Sequence, residues 1–520
     1  MKRPVKVWLS MLLALMLTFS ATAALADIDY DGTAPVSAEP ATISVLSTNG
    51  ASLINDFDSM TWWQEVLKKA NVTIDFELID TSSYADVVKP RLAAGVDLPH
   101  LVQLSGGGAD MSYINSGLFI DLTEMYDKYG FNLAKQFEKH PTLKAELTTP
   151  DGSMYYLPYI YTTDSNMRCL MVNQSYLEAL NMTTDDLKTM DDYYEFLKAI
   201  KENDVNGNGD ASDEIPLFMR SGMIQLWGMY WGLDLTDLGG YQVGEDGKVL
   251  CGYIDDRYKE FLTWAHQLYE EGLLYNEYAT ANLDMQTALF SSNQIGSIVH
   301  FISNCTGYSR TIDPDYQFNV DEPIMVPIVP LTGPYGDQPV YGRDSMGSLF
   351  GITTYCENPE LVFAFCDYLQ SEEVGMQTWY GTEGVDYNIV DGEYVFTDVY
   401  LTNDDNYLNK AGYNFAGLPS YQLDYMTKEC DTVREMAKTL SNYVVNPSIT
   451  FSFKSEAENE VINTYAADLK TYFDENMSAF IMGTRSLDEW DSYVDAVKAM
   501  GVDEVIAVYQ ASVDRANAVE

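Results

Sequence analysis

Basic residues are scarce in this chain. Lysines and arginines number 30 against 78 aspartates and glutamates, a formal net charge of −48 over 520 residues. A surface so acidic repels phosphate backbones and anionic headgroups, which excludes nucleic acid and an anionic membrane surface as partners. Histidine is scarcer still. His100, His140, His266 and His300 form neither a His-Glu-x-x-His nor a zinc-finger spacing, so the common zinc sites are excluded. Six cysteines include no Cys-x-x-Cys pair; Cys169, Cys251, Cys305, Cys356, Cys366 and Cys430 sit mostly in apolar surroundings and read as small buried hydrophobes. Walker-type, dinucleotide-binding and Gly-x-Ser-x-Gly patterns are missing, which removes the usual signatures of nucleotide and acyl-transfer chemistry. Sequence repeats are missing too. Past the first 26 residues no uncharged apolar run approaches the roughly 20 residues that a bilayer crossing requires.

What is present begins with an export signal. Lys2, Arg3 and Lys6 precede an apolar run from Val7 to Phe19, and Ala24-Leu25-Ala26 supplies a small-x-small cleavage site. This is the pattern of a secretory signal peptide over residues 1–26. Asp27 would be the mature N-terminus, and no cysteine stands near it to accept a lipid. The chain is therefore expected to be exported and to act in the periplasm, at the cell surface or outside the cell. Its acidity then serves as a solubilising surface. Residues 27–41, rich in Asp, Ala, Pro, Ser and Gly, read as a flexible leader.

Strand and helix patterns then alternate. Ile43–Ser47 is a short apolar run that stops at Thr48-Asn49-Gly50. From Asp56 on, Phe57, Met60, Trp63, Leu67 and Ala70 recur at helical spacing. Val72, Ile74, Phe76 and Leu78 alternate as a half-buried strand. Tyr84–Ala94 is helical again, with Pro90 expected to bend or end it. Leu101–Leu104 is a third strand, closed by Ser105-Gly106-Gly107-Gly108. This βαβαβ order predicts a parallel sheet with helices on its faces. Ligands sit beyond the carboxyl ends of such strands, which singles out the loops after Ser47 and Ser105.

A second α/β region follows. It has strands at Tyr155–Tyr161, Arg168–Val172, Ile295–Val299 and Leu349–Thr353. Helices are predicted at Tyr176–Leu180, Asp191–Ile200, Tyr258–Tyr269 (ended by Gly272) and from Asn358-Pro359-Glu360.

Several stretches resemble the extracellular solute-binding proteins of ABC importers, in particular the group of maltose- and alginate-oligosaccharide-binding proteins. They are Phe57–Glu65, Leu98–Val102, Asn115–Leu122, Asp151-Gly152 with Tyr156–Pro158, Phe290–Ile298 and Glu383–Tyr387. They occur in that family's order across most of residues 43–390. The resemblance implies an α/β, two-lobed periplasmic-binding-protein-like fold of type II, with hinge-linked lobes and a central ligand cleft. The first lobe would hold residues 42–160 plus about 300–350, and the second residues 161–299 plus about 351–520. It implies a substrate-binding component, not an enzyme, that captures a carbohydrate for ABC transporter permease subunits and acts as a monomer. A secreted glycoside hydrolase or lyase is the main alternative, and a peptide or other small solute an alternative ligand.

Sugars are met by flat aromatic rings and planar polar groups. With cleft loops placed as above, the expected ligand-binding residues are Asn49, Gly106, Asp110, Tyr161, Asp164, Trp227, Trp231, Arg343, Asp344, Trp379, Tyr380 and Glu383. Core packing competes as the role of each tryptophan, and a simple Asp164–Arg168 ion pair competes as the role of Asp164. The sharpest motif is Asp204-Val-Asn206-Gly-Asn208-Gly209-Asp210-Ala-Ser-Asp213-Glu214. Oxygens at positions 1, 3 and 5 and glycine at 6 match a calcium loop. Position 12 is Ile215, so Asp213 and Glu214 would supply the late carboxylates. Structural calcium on Asp204, Asn206, Asn208, Asp210, Asp213 and Glu214 is expected, in a loop like that of the alginate-oligosaccharide-binding proteins.

Mass spectrometry of the exported protein is expected to give a chain starting at Asp27 with no acyl mass; an uncleaved or acylated terminus would overturn that expectation.

Overall fold

The computed structural model describes residues 28–49, 57, 60–104, 111–161, 167–220, 222–236, 239–244, 246–317, 322–342, 345–390, 393–397, 418–421, 429–445 and 454–517. They form two hydrophobic cores. The first gathers residues from Tyr30 to Ile160 with Leu349–Leu369, Val374, Leu418 and Tyr421. The second gathers residues from Met167 to Val340 with Cys430–Val513.

The first core is built on β1 (Ala41–Asn49), β2 (Val72–Asp80), β3 (Leu101–Leu104) and β4 (Tyr156–Tyr161). β1 pairs in parallel with both β2 and β3. Flanked on both sides, it buries Val45, Leu46 and Ser47 in succession, whereas β2 at the sheet edge keeps the alternation seen in its sequence. Helix α1 (Thr61–Ala70) lays Trp62, Trp63, Val66, Leu67 and Ala70 into the core and ends at Asn71 in the left-handed conformation, one that asparagine tolerates.

Helix α2 (Thr81–Ala94) starts where the Asp80 carboxylate accepts from the Ser82 amide at 2.9 Å. It runs straight through Pro90, which was expected to bend or end it. The carbonyl that Pro90 cannot engage belongs to Asp86, and both residues are exposed, so the freed oxygen lies on the helix face that meets solvent.

The second core holds β5 (Arg168–Asn173) at the centre of an antiparallel sheet. Past a small ribbon of β6 (Tyr241–Val243) and β7 (Val249–Cys251), β8 (Ser297–Phe301) and β9 (Met325–Pro327) flank β5. After β10 (Val340–Tyr341) the chain returns to the first sheet as β11 (Ser345–Ile352), antiparallel between β3 and β4. The first sheet thus has the order β2-β1-β3-β11-β4. Long helices, Asp256–Glu270, Glu456–Ile481 and Val502–Asn517, cover the second core. All six cysteines are buried.

Three expectations are corrected. Helix α1 begins at Thr61, not near Asp56. Ile302–Tyr308 and Met325–Val340, expected with the first lobe, pack into the second core, and Leu349–Leu369 pack into the first. The segment expected as a flexible leader is anchored from Ile28 onward: Tyr30 and Val36 are buried, and the Tyr30 hydroxyl donates to Asp367 at 2.7 Å.

Asp367 also caps a distant helix. The helix Phe131–Lys139 follows Gly130, which has no side chain to cap it and whose added Cβ would stand 2.5 Å from the Tyr126 carbonyl oxygen. The Asp367 carboxylate supplies the cap instead. It accepts from the amides of Asn132 and Leu133 at 2.9 and 2.8 Å and from Asn132 Nδ2 at 3.1 Å. Burial pushes its pKa up, opposed by these donors. Asp367→Ala is expected to cost about 3 kcal/mol in urea unfolding, the scale for orphaning buried donors at a helix N-terminus; Asp367→Asn should recover part of it. A loss within about 0.5 kcal/mol would show that the cap is replaceable.

Candidate functional site

The carboxyl ends of β1, β3 and β4 and the start of β11 meet at one edge of the first sheet, with Ser345 opposite Tyr161 and Leu349 opposite Leu104. One side chain ties this edge together. Gln103 Oε1 accepts from Ser47 Oγ at 2.7 Å, from the Thr48 amide at 2.8 Å and from Thr48 Oγ1 at 3.1 Å, while Nε2 donates to Ser348 Oγ at 2.6 Å. The Tyr84 hydroxyl holds the Gln103 carbonyl at 2.6 Å. A glutamine with both ends engaged locks three strands at fixed height and leaves Thr48 and Ser348 half-buried at this edge.

Tyr161 ends β4 at this edge, half-buried, with its hydroxyl pKa raised by burial. Its ring lies against Gly347, where an added Cβ would come within 2.3 Å of Tyr161 Cε2. Only glycine lets the ring lie against β11 in this way. Tyr159 holds it edge-on, with ring centroids 4.8 Å apart.

The second core presents a matching edge. β5 starts at Arg168, directly opposite Phe301 at the end of β8. Arg168 Cζ stands 5.4 Å from the Phe301 ring centroid, and Nη1 donates to Thr236 Oγ1 at 2.9 Å. His300 is within 2.8 Å of Asn304 Nδ2. Burial first, then the charges of Arg220 and Arg168, lower the His300 pKa from 6.5 to about 4, so the imidazole is neutral at pH 7. On the other side of β8, Arg220 Nε donates to Gln286 Oε1 at 3.1 Å, and Gln286 Nε2 donates to the Tyr308 hydroxyl at 3.0 Å.

Of the residues expected to touch ligand, Tyr161 stands at this edge. Asn49 closes β1 there, paired with Asp80. Gly106, Asp110, Asp164, Arg343 and Asp344 lie outside the described residues, as does the side chain of Trp379 in the helix Glu372–Tyr380.

Trp227 and Trp231 are corrected. They share the short helix Ile224–Trp231, but both are buried. Trp227 packs on Tyr193, Tyr230 and Trp264 with centroids 4.9–5.3 Å apart, and Trp231 on Phe261 and Trp264 at 5.3–5.4 Å. Helical spacing cannot tell an inward face from a cleft face, and here the face is inward. Tyr380 is likewise buried, 5.3–6.2 Å from Tyr387, Tyr394 and Phe396. Glu383 is exposed beside Tyr387.

Sequence reading overlooked Gln103, Thr48, Ser348, Arg220, His300 and Phe301. The strand-end rule pointed to Thr48; the others lie on strands and segments whose partners only the tertiary fold supplies. A cavity of about 1140 Å³ lies elsewhere, among the first core's outer helices and the 148–152 turn, with Arg515 at its rim. No strand end lines it.

The acidic loop folds back on itself. Gly207 and Gly209 take positive φ, +73° and +92°, which few other residues adopt. Asp204 accepts from the amides of Asn208 and Gly209 at 3.1 and 2.9 Å. Asp213 accepts from Asn206 Nδ2, Asn208 Nδ2 and Gln294 Nε2 at 3.3, 2.7 and 2.8 Å. Glu214 Oε1 accepts from the Val205 amide at 3.0 Å, and its Oε2 is buried without a partner. Asp210 instead holds Ser212 in its own exposed turn. Among the described residues no group of three or more His, Cys, Asp or Glu is gathered tightly enough to hold a metal as placed. The donors are nevertheless all hard oxygens if the two asparagine amides rotate, and the orphaned Glu214 oxygen fits a cation.

The profile of the family described as bacterial extracellular solute-binding protein matches residues 55–376. The chain is 25% identical over 534 residues to the fructooligosaccharide ABC transporter substrate-binding protein FusA of Streptococcus pneumoniae, covering 95% of this chain and 94% of that one. The fold of alginate-binding protein AlgQ2, solved without calcium ion, superposes with a TM-score of 0.72 at 22% identity, over 92% of this chain and 99% of the other. An EF-hand mutant of S. pneumoniae FusA in complex with fructo-nystose gives the same TM-score and identity, over 92% and 100%.

Trp227→Ala and Trp231→Ala are each expected to lower unfolding stability by about 3–5 kcal/mol, the cost of emptying a packed aromatic site. Stability within 1 kcal/mol of the parent would place either ring outside the core.

Proposed function

Because the chain belongs to the bacterial extracellular solute-binding proteins, we propose that it captures an oligosaccharide between its two lobes and delivers it to the permease of an ABC importer. It is a binding protein and not an enzyme. The observation that carries the ligand class is the polar shelf at the first sheet's edge: Thr48 and Ser348 set by the buried Gln103, with the Tyr161 ring lying against the neighbouring Gly347. Hydroxyls and a carboxamide match sugar hydroxyls, and an aromatic ring matches a sugar's C–H face. Relatives named for fructooligosaccharide and alginate binding support the carbohydrate class.

The lobes are the two cores, and the chain passes from one to the other between Ile160 and Met167, between Val340 and Leu349, and between Tyr421 and Cys430. A ligand touching both edges favours the closed form by its differential contacts. Export follows from the signal-peptide pattern, and among the described residues no helix is long and apolar enough to cross a membrane.

Titration calorimetry against a panel of fructo-, alginate- and galacturonate oligosaccharides is expected to find a ligand that is returned chemically intact. X-ray scattering should show a smaller radius of gyration with it bound. A panel without a binder, or recovery of cleaved ligand, would overturn this reading.

The loop from Asp204 to Glu214 would hold a structural calcium through Asp204, Asn206, Asn208, Asp213 and Glu214. The ion would neutralise carboxylates that otherwise crowd one turn. Support comes from the buried Glu214 oxygen, unpartnered among the described residues, and from two fold relatives, AlgQ2 solved without calcium ion and a FusA EF-hand mutant, whose descriptions single out a calcium ion and an EF-hand. A chelator is expected to lower the melting temperature of the protein by several degrees and to leave that of Asp204→Ala unmoved. An unmoved parent would mark the loop as a metal-free turn.

A further inference from the structure

Five of the eight described arginines in this acidic chain are paired with a carboxylate. Arg91 pairs with Glu77, Arg257 with Asp255, Arg434 with Asp431, Arg485 with Glu489 and Arg515 with Glu458. Arg168 and Arg220 are different: among the described residues neither meets a carboxylate. Arg168 donates at 2.9 Å to the hydroxyl of Thr236, which in turn donates to Asp234 at 2.8 Å, so Asp234 is linked to it through an intervening oxygen. Arg220 donates from Nε to the neutral Gln286. Among the described residues its two terminal nitrogens have no hydrogen-bond partner, nor do Nε and Nη2 of Arg168.

Both stand at one end of the second sheet. Arg168 is the first residue of β5 and sits opposite Phe301. On the far side of β8, the Phe218 amide donates to the Ser297 carbonyl at 3.0 Å. The segment leading to Arg220 therefore climbs alongside β8 toward the same end. The two arginines flank His300 and Phe301, and both of their charges act on the His300 ring. All four side chains are half-buried rather than sealed.

We infer that Arg168 and Arg220 form an anion-reading subsite, and that the oligosaccharide carries a carboxylate, as in a chain of uronic acid residues. This rests on the oligosaccharide reading above and narrows it. The free terminal nitrogens of Arg220 form a planar fork that matches a carboxylate's two oxygens. The guanidinium of Arg168 lying over the Phe301 ring makes a flat platform for a sugar ring next to that carboxylate. A chain carrying −48 repels anions at long range, so only a local, partly desolvated pair of cations could reverse that preference. Among the described residues nothing gives these two half-buried cations a counter-charge, which a ligand carboxylate would supply.

The test compares matched pairs by calorimetry: trigalacturonate against its methyl ester, alginate trisaccharide against its ester, and kestose as a neutral reference. The free acid of at least one pair is expected to bind ten-fold or more tighter than its ester, with the gap shrinking as salt rises. Arg220→Gln should collapse that ratio toward one while the melting temperature of the unliganded protein stays within a few degrees. Arg220→Lys, which keeps the charge but loses the fork, should retain only part of it. Esters or kestose binding as tightly as the acids would overturn the carboxylate inference and leave the oligosaccharide reading standing. An acid-to-ester ratio unchanged in Arg220→Gln would overturn the assignment of the subsite. Binding by none of the panel would overturn the oligosaccharide reading, and this inference with it.

Discussion

One chain builds two cores, and it changes core three times: between Ile160 and Met167, between Val340 and Leu349, and between Tyr421 and Cys430. That constraint shapes the rest. Apolar residues commit to one core or the other, so the polar groups that neither core can hold collect where the strands stop and the chain passes over. The carboxyl ends of β1, β3 and β4 lie at that boundary because the strands are parallel, and β11 joins them because it re-enters from the second core. The candidate site is thus a by-product of connectivity before it is a feature of any side chain.

Buried polar side chains hold the boundary in place. Gln103 spans β1, β3 and β11 with one carboxamide, and a half-satisfied network there would cost more than an apolar one. Asp367 plays the same role deeper in the first core. It joins the start of the described chain at Tyr30, the helix after Gly130 and its own helix Pro359–Leu369. Both residues join segments more than fifty positions apart, so each makes the first lobe a single unit rather than a stack of separable pieces.

Charge is distributed with a similar logic. The acidic excess sits mainly at the surface, where it is solvated and screened, and most described arginines are spent on neighbouring carboxylates. Against that background two arginines without acid partners at the second sheet's edge are a local reversal of sign. Field strength in such a pocket depends on how far water is excluded, so a partly buried pair acts on a ligand more strongly than the far more numerous exposed acids.

The sequence by itself determined the class of the molecule. Alternating strand and helix patterns from Ile43 to Leu104 foretold the parallel part of the first sheet, because period two and period 3.6 are local properties of the chain. The periodic face Tyr258–Tyr269 falls within two residues of the Asp256–Glu270 helix at each end, the Asn358-Pro359-Glu360 signal placed the start of the Pro359–Leu369 helix, and the family's motifs gave the two-lobed fold. Tertiary structure alone decided what those periods leave open. Trp227 and Trp231 share a face at helical spacing, yet only the neighbours Tyr193, Phe261 and Trp264 show that this face points inward. Residues 27–41 have a loop's composition, yet Tyr30 is fixed by a carboxylate 337 positions away. Arg168 and Arg220 are 52 positions apart, and nothing local brings them together. They converge because β5 and the segment after Leu217 both run beside β8, and strand pairing between distant segments is a long-range choice that no short window of sequence contains.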